Sequence, residues 1–177
     1  MKQLNSEQLN LLQVAREAIA SKLENRLLAS SDFVHGQKKS QGVFVTLYTH
    51  MKELRGCIGH ISPVCASLSE EVAECAVAAA FEDPRFPPLS ISELSSVHLE
   101  ISLLGPLSEV ETVNELDPKR FGVVVSAGWR RGLLLPDIDG VDSVDMQIDI
   151  ARRKAGIAAH ERVKIQKFEV NKISELV

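Results

Sequence analysis

The stretch 43-VFVTLYTHMKELRGCIGHI-61 decides how the chain is read. VFVTLYTH (43–50) alternates residue types and runs into the polar MKE, which predicts a strand entering a turn. LRGCIGHI (54–61) is then its antiparallel partner. On a regular strand Arg55, Cys57 and Gly59 share one face, while Leu54 and Ile58 point to the other, toward a core. The hairpin therefore sets a cysteine between two glycines, with an arginine before it and a histidine after.

Elements follow on both sides. Leu12, Ala15, Ile19, Leu23 and Leu27 recur at spacings of three and four, which predicts an amphipathic helix from Asn5 to about Leu28. Asn5 and Gln8 read as a capping box at its start. The polar SSDFVHGQKKSQG (30–42) reads as a loop. Ser62-Pro63 opens a second helix, running to about Glu82, with Leu68, Val72, Cys75 and Ala79 on one face. DPRFPPLS (83–90) holds too many prolines for a regular element. VHLEISLLGP (97–106) alternates Leu99, Ile101 and Leu103 with His98, Glu100 and Ser102, the pattern of a half-buried strand. Thr112 to Phe121 is helical in pieces. FGVVVSAGWRRGLLLPDI (121–138) predicts a hairpin pairing Val123–Val125 with Leu133–Leu135. Ser143 caps a helix reaching Ala155, which Gly156 terminates. VKIQKFEV (163–170) is a last strand whose apolar phase slips between Ile165 and Phe168, suggesting a bulge. The class is α+β, antiparallel or mixed sheets flanked by helices.

At 177 residues the chain is long enough for one domain, or two small ones sharing a core. A net charge of −4 argues against a general nucleic-acid binder. The three cysteines have neither CxxC spacing nor zinc-ligand intervals with histidine, which suits free thiols in a reducing cytosol. The N-terminal segment is too polar for a signal peptide, and no apolar run approaches the ~20 residues that span a bilayer. The expectation is a cytoplasmic protein without membrane, cofactor or metal.

Several residues carry candidate chemistry. A guanidinium at Arg55 near Cys57 favours thiolate, the form that attacks electrophiles. Gly56 and Gly59 let a ligand approach the backbone; the alternative is a small buried cysteine and tight sheet packing. His60 lies on the wrong face of a regular strand to serve Cys57 unless the strand kinks at Gly59. Cys65 and Cys75 read as structural residues of the second helix. Asp83 and Arg85 put a carboxylate and a guanidinium on a rigid loop, for a site or for local turn bonds. Trp129 beside Arg130 and Arg131 reads as a solvated hairpin tip. The acidic 137-DIDGVDSVD-145 departs from calcium-loop spacing and reads as a polar approach to the next helix.

LRGCIG (54–59) resembles the hallmark hexapeptide of the AMMECR domain family. FVTL (44–47), AAFEDPRFPPLS (79–90), EISLLGPL (100–107), the hairpin ending in GLLLP (132–136) and RKAG (153–156) resemble its successive blocks, in order. The resemblance implies an α+β protein of two interleaved subdomains, with a cleft near the hexapeptide. It also implies a pathway shared with a Memo-like protein and a radical-SAM protein, the present chain being component A. It brings no established activity. The chain departs after Pro136, reading LLPDI where related sequences read LLPQV and continue toward a tryptophan, so no role of that glutamine or tryptophan carries over.

Together these readings make Cys57 a nucleophile, Arg55 an anion-holding group, and Asp83 or His60 a proton acceptor. Gly56, Ile58, Gly59 and Arg85 line the binding site for a small or peptidic ligand. The rival reading is a non-catalytic adaptor whose hexapeptide shapes a groove. A third is RNA binding through Arg130, Arg131, Lys38 and Lys39, which the acidic balance opposes.

Overall fold

The computed structural model describes residues 4–27 and 41–175. The chain divides into two compact units, residues 1–103 with 172–177, and residues 104–171. The predicted loop 30–42 lies almost wholly outside the described residues, as do Lys38 and Lys39.

The first unit opens with helix α1 (Ser6–Leu23), started by the Asn5/Gln8 capping box. It ends earlier than the apolar stripe suggests. Asn25 takes a left-handed φ of 53°, and the Arg26 N–H reaches back to the Ser21 carbonyl at 2.8 Å, closing a Schellman-type stop. Leu27 is 91% exposed, so its place in the stripe is not used.

Strands β1 (Val43–Tyr48) and β2 (Leu54–His60) form the expected antiparallel hairpin. The pairing slips between Leu47 and Tyr48: Leu47 opposes Gly56 and Tyr48 opposes Leu54, leaving Arg55 as the extra residue. The slip undoes the predicted facing at the start of β2. Leu54 is 38% exposed and Arg55 only 8%.

Helix α2 (Leu68–Phe81) begins later than Ser62-Pro63. Ser67 and Glu70 form a capping box there, and the Val64 and Cys65 N–H groups go instead to the Glu71 carboxylate, both at 2.8 Å. Cys65 therefore lies in the loop before the helix. Strand β3 (His98–Leu104) pairs antiparallel with β1, and β8 (Val170–Ser174) completes a sheet in the order β2-β1-β3-β8. Both helices contribute to one core with Val43, Val45, Leu47, Leu99, Ile101 and Ile173. That uses one face of the sheet.

In the second unit β4 (Ser108–Glu109), β5 (Gly122–Ala127), β6 (Arg130–Leu134) and β7 (Lys164–Phe168) form a sheet in the order β4-β7-β5-β6. Its β4–β7, β5–β6 and β5–β7 ladders are antiparallel. Helix α3 (Val144–Lys154), capped by Ser143, packs Ile148 and Ala151 onto Val123, Val125 and Leu134. The slip in apolar phase near Phe168 is not a bulge. It is a break at Glu169 between β7 and β8, which belong to different sheets. No helix among the described residues is long and apolar enough to cross a membrane.

Candidate functional site

Beyond the slip at Arg55, β2 sends alternate residues to opposite sides of its sheet. Gly56, Ile58 and His60 face α2. A Cβ on Gly56 would stand 2.1 Å from the Ala79 carbonyl oxygen, so this glycine admits the helix rather than a ligand. Ile58 packs against the core. The His60 ring places Nδ1 2.7 Å from Glu71 Oε1. The strand stays regular past Gly59, so His60 is not brought to Cys57.

Cys57 and Gly59 face away from the helices. Directly opposite Cys57 on β1 stands Thr46, and opposite Thr46 on β3 stands Glu100. The Thr46 hydroxyl donates to Cys57 Sγ at 3.2 Å. In the neighbouring rows Tyr48 opposes His98 and Phe44 opposes Ser102. The His98 ring also meets that of His50, their centroids 5.8 Å apart. A Cβ on Gly59 would stand 2.2 Å from the Val43 carbonyl oxygen and 2.4 Å from the Phe44 ring. Cys57 thus sits at one end of a polar row on the sheet face turned from the helices, where Thr46 is itself buried.

The 83–90 loop closes the edge of β2. Asp83, 4% exposed, accepts the Cys57 N–H at 2.9 Å through Oδ2. It also receives three bonds from Arg85: Nη2 to Oδ2 at 2.6 Å, and Nε and the backbone N–H to Oδ1 at 2.9 and 3.1 Å. The Arg85 bonds first, and then the Cys57 N–H against the opposing effect of burial, hold the Asp83 carboxyl far below its ordinary value. A carboxylate so strongly stabilised is a poor proton acceptor, which corrects that role for Asp83. It also occupies the Cys57 N–H, which is therefore no oxyanion donor.

Arg55 has other work than holding an anion. Its Nε bonds Glu93 at 2.9 Å and its Nη2 the Pro87 carbonyl at 3.0 Å, with the Phe86 ring 5.8 Å from the guanidinium carbon. Arg55 in turn draws the Glu93 carboxyl down to about 2. The guanidinium that feels Cys57 is Arg85. Asp83 raises its pKa most, and the charge of Cys57 adds to the rise. Its side chain is 55% exposed, so its head group is available to solvent.

The other cysteines contrast with this setting. Burial, reinforced by Glu71, pushes the Cys65 thiol up to about 11 and that of Cys75 to about 12. Arg130 is tied to Glu161 and to the Gly156 carbonyl, the latter at 2.7 Å, which commits one of the two hairpin arginines. In the acidic loop Lys119 lies 3.8 Å from Asp137 and 3.3 Å from Asp142.

Thr46, Glu100, His98 and Tyr48 were not among the predicted site residues. The signal was present: the alternation of 97–106 already set His98, Glu100 and Ser102 on the face away from the core. What the alternation lacked was the register that puts them in line with Cys57.

Fold and site define an α+β protein of two four-stranded sheets that presents a thiol on the sheet face turned from its helices. The AMMECR1 family model matches residues 12–173, and the chain belongs to that family. It is 48% identical to a protein of Thermotoga maritima over 136 residues, covering 76% of this chain and 78% of the relative. A Clostridium acetobutylicum protein is 42% identical over 76% of this chain, but the match spans only 28% of that longer protein. Among solved structures, an uncharacterized protein from Pyrococcus horikoshii superposes with a TM-score of 0.85 at 29% identity, covering 98% of this chain and 94% of that one.

Proposed function

We propose that the chain is a cysteine-dependent group-transfer or hydrolytic enzyme, with Cys57 as nucleophile and a small or peptidic substrate. The observation that carries this reading is the Thr46 hydroxyl donating to Cys57 Sγ at 3.2 Å, outside the helix-packed core. A donor to sulfur stabilises the thiolate, and Arg85, tethered through Asp83 beside the same residue, adds a positive charge. Cys57 and Glu100 flank Thr46 on neighbouring strands, about 10 Å apart at strand spacing. The thiolate attacks an acyl carbon and the departing group leaves with its electron pair. Glu100 or His98 then serves proton transfer from the far side of the row.

The test is acylation of the full chain by p-nitrophenyl acetate and a panel of acyl thioesters, followed by mass spectrometry. An adduct on Cys57 that forms and turns over, absent in Cys57→Ser, supports the proposal. Unmodified Cys57, or equal turnover in Cys57→Ser, overturns it.

One observation favours an adaptor instead: Asp83 holds the Cys57 N–H at 2.9 Å, removing the donor best placed to stabilise an oxyanion. In that case Cys57→Ser leaves partner binding unchanged. Either role fits a pathway shared with Memo-like and radical-SAM proteins in the cytoplasm. The Clostridium relative, in which the matched segment is a minor part of a longer chain, supports a domain that works alongside others.

A further inference from the structure

A second group of reactive side chains lies on the helix-covered side of β2. Glu71 and Cys75 stand four residues apart on α2 and so project from one face of that helix. His60, the last residue of β2, meets them there. Its Nδ1 lies 2.7 Å from Glu71 Oε1 and 3.7 Å from Cys75 Sγ. The three donor atoms all fall within 4.8 Å of one another, a convergence of His, Cys and carboxylate found once among the described residues. Glu71 and Cys75 have no exposed surface, whereas the His60 side chain is 33% exposed, so the group is reached from the imidazole side.

Glu71 is the informative member. Fully buried, it accepts the backbone N–H groups of Val64 and Cys65 and bonds the His60 ring. Both backbone donors fall on Oε2, at 2.8 Å each. That leaves Oε1 directed at the place where an imidazole nitrogen and a thiol also point. Cys65, in the loop before α2, is tied to the same carboxylate through its backbone N–H. One nitrogen, one carboxylate oxygen and one sulfur make a donor set suited to a borderline-soft divalent ion.

We propose that His60, Glu71 and Cys75 bind one zinc-class ion, with solvent in the fourth position of a tetrahedral shell. Bond lengths of ~2.0–2.1 Å to nitrogen and ~2.3 Å to sulfur put tetrahedral N and S ligands roughly 3.6 Å apart, and Nδ1 and Cys75 Sγ already stand at 3.7 Å. The Nδ1 to Oε1 distance, now that of a hydrogen bond, opens by roughly half an ångström to admit the ion. The protons balance. Cys75 gives its thiol proton to solvent, and the imidazole proton passes from Nδ1 to Nε2, freeing the Nδ1 lone pair. One proton leaves per ion. The ion ties the end of β2 to α2, behind the strand that carries Cys57. It is independent of the Cys57 chemistry, because it lies on the opposite face.

The test is titration of the metal-free full chain with Co²⁺, then displacement by Zn²⁺. The expected result is one ion per chain, with a thiolate-to-cobalt charge-transfer band that persists in Cys57→Ser and is lost in Cys75→Ser. Because Cys75 is a core residue, a second readout uses the half-exposed imidazole. Zn²⁺ raises the Tm of the wild type and of Cys57→Ser, and His60→Gln abolishes the rise while keeping the wild-type circular dichroism. No band and no Tm rise in the wild type overturn the proposal. So does a band lost in Cys57→Ser but kept in Cys75→Ser, or a Tm rise that His60→Gln leaves intact.

Discussion

At the scale of single residues, position on β2 separates chemistry from packing. Cys57 takes a hydroxyl donor on sulfur and a carboxylate on its N–H, while Gly56, one residue earlier, lies under the Ala79 carbonyl. Arg85 is the testable cation. Its side chain is 55% exposed, but it is also the partner of the buried Asp83 carboxylate, so the fold of Arg85→Gln is first compared with the wild type by circular dichroism. The variant is expected to slow alkylation of Cys57 at neutral pH by roughly 3–10-fold, because an opposite charge beside the sulfur favours the thiolate. An unchanged rate would detach Arg85 from the site. Gly56→Ala drives a methyl into backbone 2.1 Å away. A loss of at least ~1–3 kcal/mol in denaturant unfolding is expected, and a stable variant would show that α2 shifts freely over β2. The hexapeptide was legible as the place to look, and Cys57 as its centre. The cation was not, since the slip at Leu47/Tyr48 gives Arg55 to Glu93 and leaves Arg85 to Cys57.

At the scale of elements, local chemistry stated in the sequence was readable and competition between side chains was not. The Asn5/Gln8 box and the Ser143 cap stand where their residue types place them. Ser62-Pro63 looked like a helix start, but Glu71 captures the Val64 and Cys65 N–H groups from within α2, and the first turn moves to Ser67. No periodicity reveals a bond of that kind. Ser67→Ala removes the side-chain acceptor of the Glu70 N–H and is expected to cost ~1 kcal/mol, measured by chemical denaturation. A neutral result would mean that the Glu71 bonds alone set the start of α2. The break at Glu169 was hidden for another reason. A change of sheet and a bulge both shift apolar phase by one residue, and only the pairing partners tell them apart.

At the scale of the whole molecule, the α+β class followed from alternation and helical spacing, and the two sheets confirm it. Stability should depend on acid carboxylates. Glu93, Glu115 and Glu161 are each drawn from 4.5 to about 2, chiefly by Arg55, Lys167 and Arg130 respectively, and Asp83 is drawn lower still by Arg85. A depressed folded-state value stabilises the protein above the unfolded value and loses that contribution as pH falls toward the folded one. Unfolding free energy should therefore decline between pH 4.5 and about 2, with a shallower slope in Glu93→Gln; an unchanged slope would show that the Arg55 pair contributes nothing. The central claim concerns one sulfur among three. It is tested most directly by the rate of iodoacetamide alkylation against pH, with Cys57, Cys65 and Cys75 read separately by mass spectrometry. Cys57 should react alone and reach its plateau near neutral pH, below the ~8.5 of a free thiol, while the thiols held up at about 11 and about 12 stay inert. A Cys57 as slow as those two would contradict the account and leave the hexapeptide as architecture.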